Sequence, residues 1–176
     1  LQGGLKIMIS KIYSKNNNPD ELDIVGIVQA ICQKYDVPAF THEIVIEKGA
    51  IPHSHPILTL NTRVKDERSI LATLTHEQFH WYAQNLIKYN ECITYLKTKY
   101  KDDGEHNKSG THPNSYWEHI IVCFNTYTYL KWLVTPEDLT WIYDQWQPYP
   151  ILEKLIQEHY EEFKEDLGKF DAILIK

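Results

Sequence analysis

Two histidines and a glutamate lie close together in the segment THEQFHW, residues 75–81. His76 and His80 are four positions apart, so on a helix their side chains lie on one face, about one turn from each other. At that spacing one nitrogen of each imidazole can bind the same zinc ion, at roughly 2.0–2.1 Å. Glu77 projects beside the pair, where a carboxylate can hold a zinc-bound water and accept its proton. The segment predicts a catalytic zinc site with His76 and His80 as ligands and Glu77 as the base.

The segment lies within a predicted helix, which is the context that this chemistry needs. Residues 66–86 begin with acidic side chains and carry apolar residues at helical spacing, at Ile70, Leu71, Leu74 and Trp81. Histidine is only a middling helix former, and a buried imidazole needs a partner for each ring nitrogen. A shared metal ion would supply such a partner.

A third ligand is available in the predicted helix over residues 116–134. Two candidates are adjacent there, Glu118 and His119, and their side chains diverge by about 100°. The face that carries His119 is otherwise apolar and aromatic, with Tyr116, Cys123 and Tyr127. We therefore expect His119 to point inward and to be the third metal ligand. Glu118 stays open as an alternative ligand, or as a group that orients a ligand from the flank.

At His76, Glu77 and His80, and in the strand-like PILTLNTR ahead of them, the sequence resembles the zincin metallopeptidases. The resemblance covers about a third of the chain. It implies a zinc-dependent hydrolase that cleaves a peptide or protein substrate with a zinc-bound water activated by Glu77. It also implies that residues 57–62 form a sheet edge on which an extended substrate pairs as an added strand.

Two branches of the zincins carry signatures that this sequence lacks. Metzincins need a glycine three residues after the second histidine and another histidine three further on, where this chain has Ala83 and Leu86. In gluzincins the third ligand is a glutamate followed four residues later by an aspartate, but Val122 occupies that place after Glu118. The subfamily is therefore not identified, and three histidines with a water form an equally sound zinc site.

Other candidate residues are weaker. His53 and His55 alternate in PHSHP and could bind metal or line the cleft, but we expect solvated loop histidines. His106 and His112, in the polar loop, receive the same interpretation. Zincins often use a tyrosine or histidine to stabilise the oxyanion, and by that resemblance Tyr149 is a candidate.

The periodicity elsewhere predicts an α+β fold, dominated by helix, with a small sheet before the histidine-bearing helix. A helix over residues 18–35 precedes two strands, in AFTHEIVIEK and HPILTLNTR, which we expect to be adjacent. Further helices are expected over residues 91–100, from Thr135-Pro136 onward, and after Pro150 through Leu167.

The chain has 176 residues, of which 43% are hydrophobic. This length and this composition are typical of a single globular domain. We expect residues 8–176 to form a single zincin-like domain. Residues 1–7 precede Met8, the only methionine, and are expected to be a cloning remnant or part of a longer protein.

The net charge, the apolar runs and the cysteines indicate which partners are excluded and in which compartment the protein lies. The net charge of −6, without a basic stripe, argues against nucleic acid. No apolar run approaches the roughly 18 residues of a membrane span, and no signal-peptide core is present. The three cysteines, far apart, are expected to be free thiols in a reducing compartment. These features predict a cytoplasmic protein.

Two other functions are compatible with the sequence. One is a non-enzymatic, zinc-stabilised helical interaction module, and the other is a zinc hydrolase that acts on a non-peptide amide or ester. A structural zinc site is usually closed by four protein ligands, whereas a catalytic site keeps a water. Glu77, which a structural site does not need, favours catalysis.

Overall fold

The computed structural model describes residues 9–100, 115–146 and 148–174. Over these ranges helices dominate, and a three-stranded sheet precedes most of them, which confirms the predicted helix-dominated α+β fold. The elements are β1 (Lys11–Ser14), α1 (Pro19–Lys34), β2 (Glu43–Ile46), β3 (Leu58–Leu60), α2 (Glu67–Gln84), α3 (Tyr89–Lys99), α4 (Ser115–Leu133), α5 (Pro136–Gln145), α6 (Pro150–Glu158) and α7 (Tyr160–Gly168).

Three interpretations of the sequence fall beyond these ranges. The expected remnant at residues 1–7 and the loop histidines His106 and His112 lie outside the described residues. Among the helices that are described, none is both long and apolar enough to cross a membrane.

The sheet is parallel, in the order β1-β2-β3. The central strand β2 reads EIVI and is almost wholly buried, as is usual for a strand covered on both faces. The two predicted strands are adjacent, with Ile44 opposite Leu58. β1 was not predicted, because it is only four residues long and Lys11 pairs with Glu43, 32 positions away.

Side-chain caps fix where the first two long helices begin. Asn18 accepts a hydrogen bond from the N–H of Glu21 at the start of α1. Asp66 accepts hydrogen bonds from the N–H groups of Arg68 and Ser69 at the start of α2. Such caps satisfy N–H groups that have no partner within the helix. The cap at Asp66 therefore helps to fix the start of α2.

The hydrophobic core has two parts, and α2 passes from one to the other. Its first half, including Leu71 and Leu74, packs with the sheet and α1, whereas Phe79 and Ala83 pack with α3, α4, α6 and α7. Between these two stretches α2 buries the polar residues 75–78. The motif residues therefore lie where the two parts of the core meet.

The C-terminal helix expected to run through Leu167 is two helices in the structure. α6 ends and α7 begins around His159, whose backbone has φ −117° and ψ 31° and is not helical. The break lets Ile156 of α6 and Phe163 of α7 both enter the same core. Helical periodicity on each side of His159 concealed this change of direction.

Candidate metal centre

The helix α2 brings His76 and His80 together on one face. Their ring centroids are 5.0 Å apart and the rings are nearly perpendicular. His76 is buried, and the side chain of His80 is 11% exposed. Four-residue spacing on a helix places the two rings one turn apart, as the sequence predicts.

His119 approaches these two rings from α4, which packs against α2. Its ring centroid is 5.6 Å from that of His76 and 4.7 Å from that of His80. One nitrogen of each of the three histidines lies within 4.8 Å of the other two. This group, hereafter the histidine cluster, could hold a metal ion. In the part of the chain that the structure describes, no other group of three or more potential ligands meets this criterion.

Hydrogen bonds fix the proton position on two of the rings. Nδ1–H of His80 donates to Oε1 of Glu118 at 3.0 Å, and Nδ1–H of His119 donates to the backbone carbonyl of Ser115 at 2.6 Å. Because a carboxylate and a carbonyl only accept, each Nδ1 must carry the proton. In the neutral form of each ring the lone pair is then on Nε2, and this is the form that binds a metal.

The ring of His76 is positioned by aromatic neighbours instead. Its Nδ1 has no hydrogen-bond partner among the described residues. The ring of Tyr149 stacks on it at 5.7 Å, and Trp146 meets it edge-on at 5.7 Å. Tyr149 also contacts His119, at a centroid distance of 4.2 Å. Sequence reasoning singled out Tyr149 but missed Trp146, which has no motif spacing and reaches the site only through the packing of α5.

Burial keeps the imidazoles of His76 and His119 neutral. It lowers the pKa of His76 well below its usual range, and the neighbouring histidines add to the effect. Burial and the nearby His80 lower the pKa of His119 to about 3. A neutral imidazole is required for metal binding, since the protonated ring has no lone pair to offer. Neutral nitrogen donors, converging and held in place, fit a divalent transition metal.

Glu118 lies behind His80 rather than in the cluster. Besides His80, it accepts hydrogen bonds from the hydroxyl of Tyr89 at 2.6 Å and from Nε2 of Gln84 at 3.4 Å. Burial alone would raise the pKa of Glu118, but the hydrogen bonds from His80 and Tyr89 lower it to about 2. The carboxylate is therefore ionised and can orient the His80 ring, the flanking role considered from the sequence.

Glu77 is the other acidic group at the site, and only 7% of its surface is exposed. Burial raises the pKa of its carboxyl, and the nearby His80 and His53 act in the opposite direction. A carboxylate with a raised pKa beside the histidine cluster is a suitable proton acceptor.

The segment from Ile51 to Pro56 alters the expected substrate edge. The N–H and carbonyl of Thr59, at the middle of β3, are both bonded to His53, at 2.8 Å and 3.1 Å. The outer edge of β3 is therefore covered at Thr59, and the expectation that residues 57–62 present a free edge is wrong there. This pairing is antiparallel. Because β3 is the last strand of the sheet and its other side pairs with β2, the segment, hereafter the rim segment, lies outermost.

The rim segment is fastened to α2 next to the motif. Nε1–H of Trp81 donates to the carbonyl of Ser54 at 2.9 Å, and the ring of His55 stacks on Trp81 at 4.0 Å. His53 is exposed, as expected for a loop histidine, but His55 is only half-exposed. Neither joins the histidine cluster.

Comparisons with protein-family models, with curated proteins and with solved structures find no match for this chain. The function is therefore inferred from the geometry of the histidine cluster and its neighbours.

Proposed function

We propose that the protein is a zinc-dependent hydrolase, of the zincin metallopeptidase type, that cleaves a peptide or protein substrate. The observation that carries the proposal is the convergence of His76, His80 and His119 beside the buried carboxylate of Glu77. Three imidazoles, with no fourth ligand among the described residues, form a donor set that leaves a coordination position open, as catalytic zinc sites do.

The donor chemistry supports zinc as the metal. Imidazole nitrogens suit zinc among several transition metals, and zinc is the one commonly bound by three histidines in hydrolytic sites. His76, His80 and His119 would hold it. When bound, zinc supplies a Lewis acid that polarises a carbonyl and makes water acidic enough to react near neutral pH.

Glu77 provides the proton transfers that the reaction needs. As the oxygen of water adds to the scissile carbonyl carbon, the carboxylate of Glu77 accepts a proton from it. When the carbon–nitrogen bond breaks, the same group returns the proton to the leaving amine. Its raised pKa matches both roles, because a weaker acid is a better base and still gives up its proton to an amine.

We assign the extended substrate to the rim segment. The rim segment is the outermost part of the sheet and is fastened beside the histidine cluster through Trp81. An extended peptide along this segment would lie next to the cluster, because Trp81, which holds the segment, follows His80 in α2. Tyr149, packed against two of the histidines, is the candidate for stabilising the oxyanion.

The test of this function is the substitution Glu77→Gln. The amide is nearly isosteric, so zinc content and the melting temperature should stay as in the wild type, while peptide hydrolysis falls on the order of 10²–10⁴-fold. Glu91→Gln, at an exposed position of α3, is the matched control and should leave turnover unchanged. Unchanged turnover in Glu77→Gln would eliminate the proposed base.

The alternative is a zinc site that only braces two helices. It is favoured by one observation, that α2 supplies two of the three histidines and α4 the third. For that function, zinc removal would lower the melting temperature while no peptide in a diverse library would be cleaved. The buried Glu77, which a brace does not use, favours hydrolysis.

A further inference from the structure

Two hydrogen bonds connect α3 to the histidine cluster through the carboxylate of Glu118. The hydroxyl of Tyr89, the first residue of α3, donates to Oε2 of Glu118 at 2.6 Å. The other oxygen, Oε1, accepts from Nδ1–H of His80 at 3.0 Å. The carboxylate therefore lies between a proposed metal ligand of α2 and a tyrosine of α3, with one oxygen directed at each.

The bond from Tyr89 is the tightest constraint on this carboxylate. Among the described donors to Glu118 the hydroxyl of Tyr89 is the closest, and its distance is typical of a charge-assisted O–H···O⁻ bond. The amide of Gln84, at 3.4 Å, lies beyond the usual length of an N–H···O bond. The last torsion of a glutamate side chain is broad, so the contact with His80 alone would let the carboxylate turn. Tyr89 therefore determines the orientation in which the carboxylate faces His80.

Tyr89 is held by a helix that supplies no residue to the histidine cluster. The other end of α3 is fastened to α7, where the hydroxyls of Tyr95 and Tyr100 each donate to the buried carboxylate of Asp166 at 2.6 Å. A tyrosine side chain has only two torsions, and the ring of Tyr89 packs against the core. The position of its hydroxyl is therefore set by α3.

We propose that Tyr89 is a positioning residue of the metal centre, which holds Glu118 and through it fixes the plane of the His80 ring. A ring that is free to turn directs its Nε2 away from the metal for part of the time, so the affinity for zinc and the geometry of the centre both depend on Tyr89. This role rests on the proposed zinc site, but it does not require the protein to be a hydrolase.

Tyr95 provides a matched control on the same helix. Like Tyr89 it is half-buried, and its hydroxyl also donates to a buried carboxylate at 2.6 Å, but that carboxylate is Asp166, outside the histidine cluster. Tyr89→Phe and Tyr95→Phe each remove one hydroxyl and keep the ring, so they should lower the melting temperature by similar amounts. Only Tyr89→Phe should also change the metal centre.

Competition with a chelator of known zinc affinity measures the first effect. Tyr89→Phe should bind zinc about three- to tenfold more weakly than the wild type, as expected for the loss of one hydrogen bond. Tyr95→Phe should bind zinc as the wild type does. Tyr89→Met also lacks the hydroxyl and serves if Tyr89→Phe does not fold. Equal zinc affinity in the wild type and the Tyr89 variant would overturn the proposal.

A double-variant cycle tests whether Tyr89 acts through Glu118. If it does, adding Tyr89→Phe to Glu118→Ala should weaken zinc binding no further than Glu118→Ala alone, because the hydroxyl no longer has a carboxylate to hold. Losses that add in the double variant would show that Tyr89 affects the metal by another route, and they would overturn the positioning role.

Cobalt(II) in place of zinc reports on the geometry of the centre, since it binds the same nitrogen donors and absorbs visible light. The visible bands of cobalt-loaded Tyr89→Phe should differ from those of the wild type in position or intensity, whereas Tyr95→Phe should keep the wild-type spectrum. Identical spectra in all three proteins would contradict the proposal and leave the zinc site standing. A wild type that binds neither metal would overturn both the zinc site and the role of Tyr89.

Discussion

Two adjacent residues of α4, Glu118 and His119, have different positions at the histidine cluster. His119 points at His76 and His80, whereas Glu118 contacts the far nitrogen of His80. A helix turns by about 100° per residue, so neighbours in sequence cannot both face the same point. The apolar character of the face that holds His119 was enough to predict its direction from the sequence, and its placement in the histidine cluster agrees with that direction.

The two residues are expected to differ in their effect on metal affinity. His119→Ala removes a donor from the cluster and should abolish tight zinc binding. Glu118→Ala leaves the donors but frees the ring of His80, which typically costs 10–100-fold in affinity. Titration of both zinc-loaded variants against a chelator measures the difference. The reverse ranking would show that the carboxylate, and not the imidazole, is the third ligand.

At the scale of elements, α2 is held in place by polar contacts as well as by its two apolar stretches. Oε1 of Gln78, a fully buried residue between two positions of the motif, accepts hydrogen bonds from the backbone N–H of Phe40 at 2.7 Å and of Thr41 at 3.2 Å. These bonds tie the connection before β2 to the middle of α2.

Loss of this tie should destabilise the fold measurably. Gln78→Ala leaves two backbone N–H groups without their acceptor, and we expect the free energy of unfolding to fall by about 2 kcal/mol. For a chain of this size that corresponds to a melting temperature lower by about 4–8 °C. The control is Gln157→Ala, at an exposed position of α6, which should change the melting temperature by less than 2 °C or so. An equal shift in the two variants would contradict the role of Gln78.

The sequence predicts those helices and strands whose capping residues and apolar periodicity lie within one short segment. The helix expected over residues 66–86 is α2, Glu67–Gln84, because a capping aspartate and apolar periodicity mark it within a single segment. β1 and the pairing of His53 with Thr59 were missed, because each depends on hydrogen bonds to a backbone that is brought near only by folding. Residues 57–62 alone do not reveal that His53 pairs with Thr59 and covers the outer edge of β3.

At the scale of the whole molecule, one buried carboxylate joins the sheet to the first helix. Glu21, in the first turn of α1, accepts hydrogen bonds from the hydroxyl of Ser14 at 2.7 Å and from the backbone N–H groups of Asn16 and Lys48, both at 2.8 Å. Burial alone would raise the pKa of Glu21, but these bonds lower it to about 2.

This carboxylate should make stability depend on pH in the acid range. Its pKa is about 4.5 when unfolded and about 2 when folded, so the unfolded chain binds more protons between those values. The contribution is complete above pH 4.5 and is lost as the pH falls towards 2, by at most about 3 kcal/mol.

Unfolding in urea between pH 5 and pH 2.5 tests this dependence. Glu21→Gln should be less stable than the wild type at pH 5, with a difference that shrinks as the pH falls. Glu165→Gln, whose side chain is 78% exposed, is the control and should track the wild type throughout. A difference between Glu21→Gln and the wild type that does not change with pH would contradict the linkage.

In the proposed site three histidines hold one zinc ion, and anomalous diffraction at the zinc edge would locate that ion. Crystals of the zinc-loaded protein should give one strong peak per chain, about 2.0–2.1 Å from a nitrogen of each of His76, His80 and His119, with Glu77 beside it. The absence of a peak there, or a peak bound by Glu118 in place of His119, would contradict the account.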